Sequence, residues 1–516
     1  MKVNIIGAGI SGLTAGCYLQ MNGFETGIFE KQSKPGGLCT SWKVGEYTFD
    51  GCLHWLLGSN QSSPFYKLWS ELIDMDSIRF VNHDVRVDIE VKHNPDKYGD
   101  KVFHLYTDLE ILEKYMTDLA PRDNILITKL IRSMRKIQKY EIPPMIETSL
   151  KVLSMKQKTG MIKYLPLLLF MLKWKNITNY SIARKFKDPF LKEAFQLLFD
   201  GEEIPLLIIT IPLAFFDKKG TGYPVGGSLL FAKKIEEKYV SLGGKIQYQA
   251  GVKQIMTEND VATRILLEDG REISSDITLS AGDWYSTIFT LLKGKYVNKR
   301  ILELSKEKKL QVYYSIVLIS LGISRTFKGQ SHFFRFPLDD DLVSPDGTRY
   351  SRVEVQIYNF DPTLAPEGKT VVSISFYTRN GDYWIDLHHS DRDHYNQSKT
   401  DFASKVIEIL EKKLGDIKEK IEVVDVATPA TFFRYTNNWK GSTQGWLPGK
   451  NIMASSPVDF ELPGLKNFYF ASHWSVPGGG LPVAIKTSRD LAQIICKKYH
   501  KVFTGNPDVF SKPGNR

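Results

Sequence analysis

The chain opens on an apolar run, Val3 to Ile6, that breaks at Gly7-Ala-Gly-Ile-Ser-Gly12 and passes into a helix-compatible segment from Ser11 to Asn22, closed by Gly23. A second apolar run, Thr26 to Phe29, ends in Glu30. The pattern predicts strand, tight turn, helix and strand. Gly7 permits the turn, Gly9 admits a pyrophosphate close to the backbone, and Gly12 lets the helix lie close on the strand. The helix start at Ile10 and Ser11 then faces the phosphates. Glu30, 18 residues past Gly12, can accept hydrogen bonds from an adenosine ribose. Glycines, helix, strands and acid in register point to a bound dinucleotide.

Further along, Phe80 to Val91 alternates as a strand does, with Val102 to Tyr106 as a partner. From Asp108 the period becomes helical. Asn124 to Lys139 carries an apolar face of Ile127, Leu130, Ile131, Met134 and Ile137. The helical region runs to about Phe199, and an apolar run from Ile204 to Phe216 is interrupted by Pro205 and Pro212, which speak against one long helix. At Gly222 the α/β pattern returns: a helix to Leu242, a strand from Lys245 to Ala250, two strands around Asp269-Gly270, and an apolar run from Ile277 to Ala281 before Gly282-Asp283. This is chain returning to complete the nucleotide-binding sheet. Gln311 to Ser324, Arg352 to Phe360, Thr370 to Thr378 and Ile421 to Ala427 read as strands of a second, antiparallel sheet, with a helix from Asp391 to Leu414. Leu465 to Ala471 is the last strand; Gly478-Gly-Gly480 follows, then a helix to Tyr499, again presenting amides at a helix start. The polar tail from Val502 is expected to be poorly ordered.

With 516 residues, 42% hydrophobic and 24% charged, the chain reads as globular with two or three domains. Cys17, Cys39, Cys52 and Cys496 lie too far apart for a metal knot, and reduced thiols with no metal site are expected. The net charge of +10 concentrates between Glu147 and Asp188, where nine Lys and Arg occur without an acid. The same stretch holds the apolar run Tyr164 to Trp174, shorter than the ~20 residues a bilayer span requires. Two readings stand: a segment for the boundary of an anionic membrane, or core leucines with a solvated lysine face. Nucleic acid is disfavoured, because the cations alternate with aliphatic residues. A strand starting at residue 2 leaves no room for a leader ahead of it, so a cytoplasmic, peripherally membrane-associated protein is expected.

Gly7-Ala-Gly-Ile-Ser-Gly-Leu13 with Glu30, Lys34-Pro-Gly-Gly37, Tyr47-Thr-Phe-Asp-Gly51, Tyr223-Pro-Val-Gly-Gly227 and Pro477-Gly-Gly-Gly-Leu-Pro482 together resemble the motifs of the FAD-dependent amine-oxidase-like flavoproteins. More narrowly, the chain is similar to the branch of phytoene desaturases, carotenoid isomerases and retinol saturases. The resemblance implies an α/β fold: a discontinuous Rossmann-like FAD-binding domain (1–90, 221–290, 441–500), a helical lid with a membrane-associating segment (91–220), an antiparallel-sheet substrate domain (291–440) and a tail (501–516). It implies FAD held by Gly7, Gly9, Ile10, Ser11, Gly12, Glu30, Lys31, Gly36, Gly37, Leu38, Val252 and Gly282, with Gly479, Gly480, Leu481 and Pro482 closing over the flavin. Leu38 stands where the family carries arginine, and Gly51-Cys-Leu-His-Trp55 replaces a Gly-Pro pair, which puts His54 and Trp55 near the flavin face.

The implied activity is redox or isomerisation chemistry on C–C and C=C bonds of a long unsaturated lipid: a carotenoid, retinoid or fatty acyl chain. An oxidase of a smaller amine and a noncatalytic FAD module are the rivals. No second Gly-x-Gly-x-x-Gly follows, which speaks against a nicotinamide domain: a desaturase would pass electrons to oxygen or a membrane quinone, an isomerase would need reduced flavin with no net electron flow, and a saturase would need an external donor. His54 and Trp55 are the catalytic candidates; for acid–base work His54 comes first, followed by Asp200, Glu202, Glu203 and His473. Phe215, Phe216, Phe432, Phe433 and Tyr435 are candidates for an apolar slot.

Overall fold

The computed structural model describes residues 1–92, 102–139, 149, 151–199, 203–308, 310–448 and 458–505. Its first layer is a five-stranded parallel sheet in the order Phe468–Phe470, Ile277–Ser280, Lys2–Ile6, Glu25–Phe29, Lys245–Gln247. Three distant stretches of chain therefore build one sheet, as the returning pattern predicts. Ile5, Ile28 and Leu279 are wholly buried, which a parallel sheet covered on both faces requires. Helices Ile10–Met21, Gly227–Ser241 and Gly480–Lys498 contribute to a core that includes Leu13, Ile235 and Leu491. Gly16 is needed there, because a Cβ would come 2.6 Å from the Tyr239 ring. A buried ion pair holds the last of these helices: Arg489 donates from Nε and Nη2 to the two oxygens of Glu71 at 2.7 and 2.8 Å, and Tyr18 donates to the same carboxylate at 2.7 Å.

The second layer is a seven-stranded sheet in the order Ile421–Ala427, Ser315–Ile323, Thr370–Thr378, Arg349–Ile357, Phe333–Val343, Val85–Glu90, Val102–Tyr106. One face, including Val317, Ile319, Val355, Ile374 and Phe376, shares a core with Trp384 and Phe402 of helices Gly381–Ser390 and Arg392–Leu414. The other face looks toward the parallel sheet and the helical region. The ladder between Phe333–Val343 and Val85–Glu90 is parallel, so the sheet is antiparallel except at that pair. The hairpin formed by the last two strands joins this sheet and straddles the boundary drawn at residue 90. Strand Phe333–Val343 had no counterpart in the pattern reading. Pro337 and Asp339 to Asp341 give it the look of a loop, and the ladder does shift register between Pro337 and Leu342.

In the helical region one expectation needs correction and one of two open readings falls away. Pro205 lies ahead of a helix, but helix Leu207–Phe216 runs through Pro212. The ring leaves the Ile208 carbonyl without its helical donor, and both residues line the cavity described below. Helix Leu165–Trp174 buries Phe170 and Trp174, whereas Leu165, Leu168, Leu169 and Leu172 are 42–56% exposed. Those four positions share one helical face, so these leucines are not core. No helix among the described residues is long and apolar enough to cross a membrane.

Candidate functional site

The glycine loops from both ends of the chain open onto one cavity of about 750 Å³. At the first loop the Gly7 amide donates to the Phe29 carbonyl at 2.9 Å, which joins the turn to the neighbouring strand. A Cβ on Gly12 would lie 1.9 Å from the Gly7 carbonyl oxygen, so close strand–helix packing is that residue's task, and it does not itself line the cavity. Helix Ile10–Met21 starts at Gly9 with no side-chain cap, leaving first-turn amides available to an anion. The Gly36 amide donates to Ala8 at 2.9 Å and brings Gly36, Gly37 and Leu38 alongside. Leu38 packs beside Ile316 and Leu318, making this wall apolar.

Glu30 is buried, and burial raises its pKa. Its oxygens accept from the Ala8 amide at 2.6 Å and the Gln32 amide at 2.8 Å. Each oxygen retains capacity for a further donor. Lys31, Val252 and Gly282 line the same end. At the opposite end of the sequence, Gly478, Gly479 and Gly480 all have positive φ, and with Leu481 and Pro482 they complete the wall. Ser488 Oγ donates to the Ser11 carbonyl at 2.9 Å, tying the two cavity-facing helices together. Of the residues named from sequence for the cofactor, all but Gly12 line this cavity.

Two further residues belong to it. Asp283 is buried and pushed up to about 6 by that burial, and it accepts from the Ser286 amide at 2.6 Å and the Trp439 amide at 3.0 Å. It directly follows Gly282, and no local pattern distinguishes it from an ordinary turn aspartate. His473, considered only as a secondary candidate, has a buried Nε2 without a hydrogen-bond partner among the described residues, and burial lowers the ring to about 4. Its ordinary value is 6.5. Below that pH the unfolded chain takes up a proton that the native ring refuses, so stability falls as pH drops from about 6.5 to about 4, by up to ~3 kcal/mol. His473→Gln should flatten that part of the melting-temperature profile. Parallel profiles for the two proteins would refute this assignment.

The other end of the cavity is lined by His54, Trp55, Ile208, Pro212, Tyr313 and Tyr377. Asp50 positions the first two: it accepts from the Cys52 amide at 2.9 Å and the Ser228 amide at 2.5 Å, fastening the loop to helix Gly227–Ser241. His54 is hydrogen-bonded through Nδ1 to Gln356, and burial with the nearby Arg86 charge lowers its pKa. Trp55 packs on Phe216 at 5.5 Å between ring centres. Phe433 and Tyr435 line the cavity, Phe432 is buried in the adjacent cluster, and Phe215 is not in the wall. Glu203 is exposed and accepts from Thr178, away from the cavity. Asp200 and Glu202 lie outside the described residues. Among the described residues no cluster suited to a metal occurs.

Residues 5–72 match the model of the NAD(P)-binding Rossmann-like domain. Over 505 residues the chain is 26% identical to a chloroplastic prolycopene isomerase of Arabidopsis thaliana, covering 92% of this chain and 79% of that enzyme. It is 23% identical to a 4,4'-diapophytoene desaturase of Methylomonas sp, with 97% and 96% covered. The chain is a homologue of the carotenoid isomerases and desaturases. Among solved structures, an oxidoreductase from Methanosarcina mazei superposes with TM-score 0.58 at 18% identity, covering 94% and 99% of the two chains. A putrescine oxidase superposes with TM-score 0.56 at 11% identity, covering 96% and 99%. At those identities the structural likeness establishes a shared fold. Within this homologue of the carotenoid enzymes, the glycine loops and Glu30 fit a dinucleotide: an uncapped helix start, a buried acceptor and glycines facing the space.

Proposed function

We propose that the protein is an FAD-dependent oxidoreductase or isomerase acting on C–C and C=C bonds of a long unsaturated lipid. The observation that carries this is one cavity with glycine loops and Glu30 at one end and His54, Trp55, Ile208 and Pro212 at the other. In this reading Gly7, Gly9, Ile10, Ser11, Gly36 and Gly37 hold the pyrophosphate side, Glu30 the ribose and Val252 the adenine. Gly479 to Pro482 cover the ring system. When bound, FAD supplies a centre that accepts or donates a hydride. The protein's own residues orient the chain and exclude water: Leu38, Ile316 and Leu318 make a dry wall, and the neutral His54 ring, fixed by Gln356, adds no charge beside a polyene. For desaturation, oxygen or a membrane quinone is the proposed electron acceptor.

The test is anaerobic incubation of the oxidised and the reduced flavoprotein with a panel of polyenes and unsaturated fatty acids, analysed for mass and geometry. A change of two hydrogens identifies redox chemistry, and altered geometry at constant mass identifies isomerisation. No change in any substrate, with a flavin spectrum indifferent to all of them, would refute the reading.

The exposed leucine face of helix Leu165–Trp174 and the nearby lysines support a peripheral site on an anionic membrane, from which such a lipid would be drawn. Leu168→Asp/Leu169→Asp places two charges on that face. The double variant is expected to lose sedimentation with phosphatidylserine-containing vesicles by roughly tenfold or more, with its melting temperature unchanged. Equal sedimentation of both proteins would remove the membrane from the proposal.

A further inference from the structure

The cavity face of the seven-stranded sheet changes character strand by strand. Ile316 and Leu318 are apolar, Ser373, Ser375 and Tyr377 follow on the next strand, and Gln356 and Glu354 pair beyond them. Arg335, opposite Glu354, takes that carboxylate through Nε at 2.7 Å and also through Nη2. Arg86 comes next, on strand Val85–Glu90. The ladder of that strand with Val102–Tyr106 carries one extra residue between Val85 and Val87, and the extra residue is Arg86. A bulge of this kind re-aims a side chain and recurs next to active sites.

The Arg86 guanidinium lies 4.9 Å from the centre of the Phe333 ring and 5.9 Å from that of Phe216. Phe333 is 6.2 Å from His54, and Phe216 is 5.5 Å from Trp55, ring centre to ring centre. Arg86 thus stands one ring behind the wall that His54 and Trp55 present to the cavity. Among the described residues, the Arg86 guanidinium makes no hydrogen bond or ion pair. Glu354 is the carboxylate whose charge reaches it, and Arg335 already occupies Glu354. The three neighbouring histidines, His54, His83 and His332, are all held neutral by burial. Two cations against one anion leave a surplus positive charge behind the His54 end of the pocket. A pure hydrocarbon offers nothing to balance it, whereas a carboxylate brings the opposite charge into a low-dielectric space where that attraction is strong.

We infer that the cavity takes a long unsaturated chain ending in a carboxylate, with the carboxylate at the His54 and Trp55 end, drawn by the Arg86 charge behind that wall, and the hydrocarbon lying over the serine and tyrosine floor toward Ile316 and Leu318. This rests on the lipid reading above and narrows it to acids.

The experiment measures binding to the flavin-loaded protein by calorimetry and tryptophan quenching, using two matched pairs: retinoic acid with methyl retinoate, and α-linolenic acid with its methyl ester. β-Carotene serves as the hydrocarbon. The wild type should bind each acid at least about tenfold more tightly than its ester. Arg86→Met should abolish that difference by weakening the acid alone, and Arg86→Lys should retain part of it. Flavin content and melting temperature report whether the variants fold. The acid–ester comparison in the wild type stands without them. Equal binding of acid, ester and hydrocarbon, or an Arg86→Met variant that weakens acid and ester alike, would overturn the carboxylate and leave the lipid reading intact. A protein that binds none of the five compounds would overturn both.

Discussion

Gly479→Ala should yield a protein purified with at least about tenfold less flavin than the wild type, and destabilised by roughly 3 kcal/mol. Gly479 has φ +49° and ψ −143°, a combination that side chains other than hydrogen rarely tolerate. A Cβ there would sit 1.9 Å from the carbonyl oxygen of Gln444. The obstacle is backbone, so no rotamer change relieves it. Either the loop from Gly478 to Pro482 or the segment around Gln444 must move, and both line the cavity. Gly478→Ala is the control: its φ is also positive, at +93°, but its nearest neighbour would be the Pro448 side chain at 3.9 Å. It should lose less. The ratio of absorbance at flavin and protein wavelengths, with a thermal melt, reads both effects. A Gly479→Ala protein as yellow as the wild type would refute the role given to this loop.

Glu71→Ala should cost about 3–5 kcal/mol in urea unfolding, because it strands the buried Arg489 charge. Arg489 is 6% exposed, and Glu71 joins it by two hydrogen bonds while also accepting from Tyr18. Helix Gly480–Lys498 carries both Arg489 and, at its start, the cavity loop. Loss of the pair should therefore slacken the seat of the cofactor along with the fold, and bound flavin should decrease too. Glu422 gives the contrast. It pairs with Lys369 at 2.7 Å on the surface and accepts from Tyr47 at 2.7 Å, and Glu422→Ala should lose much less stability than Glu71→Ala. Similar losses at the two sites would show that burial is not what gives the Glu71 pair its weight.

The resemblance and the pattern anticipated much of this molecule, unevenly. The five parallel strands, helix Asn124–Lys139 and strand Ile421–Ala427 all follow from periodicity and turn residues. Strand Phe333–Val343 escaped notice because proline and three aspartates interrupt its alternation. Helix Gly381–Ser390 escaped because it opens on Asn380-Gly381 and closes at a pair of histidines, neither of which reads as helical. Of the acid–base candidates, the described residues bring only His54 and His473 to the cavity. A lone acid in a sequence carries no sign of which way it points.

Glycine spacing and hydrophobic period are local properties: a positive φ or an apolar stripe depends on a residue and its near neighbours, so the nucleotide-binding half could be read from the linear chain. The pairing of Glu71 with Arg489, 418 residues apart, could not. Nor could the bulge that turns Arg86 toward Phe333, or the burial that keeps His473 neutral. Each depends on which distant groups share a low-dielectric space, and that is settled when the sheets pack.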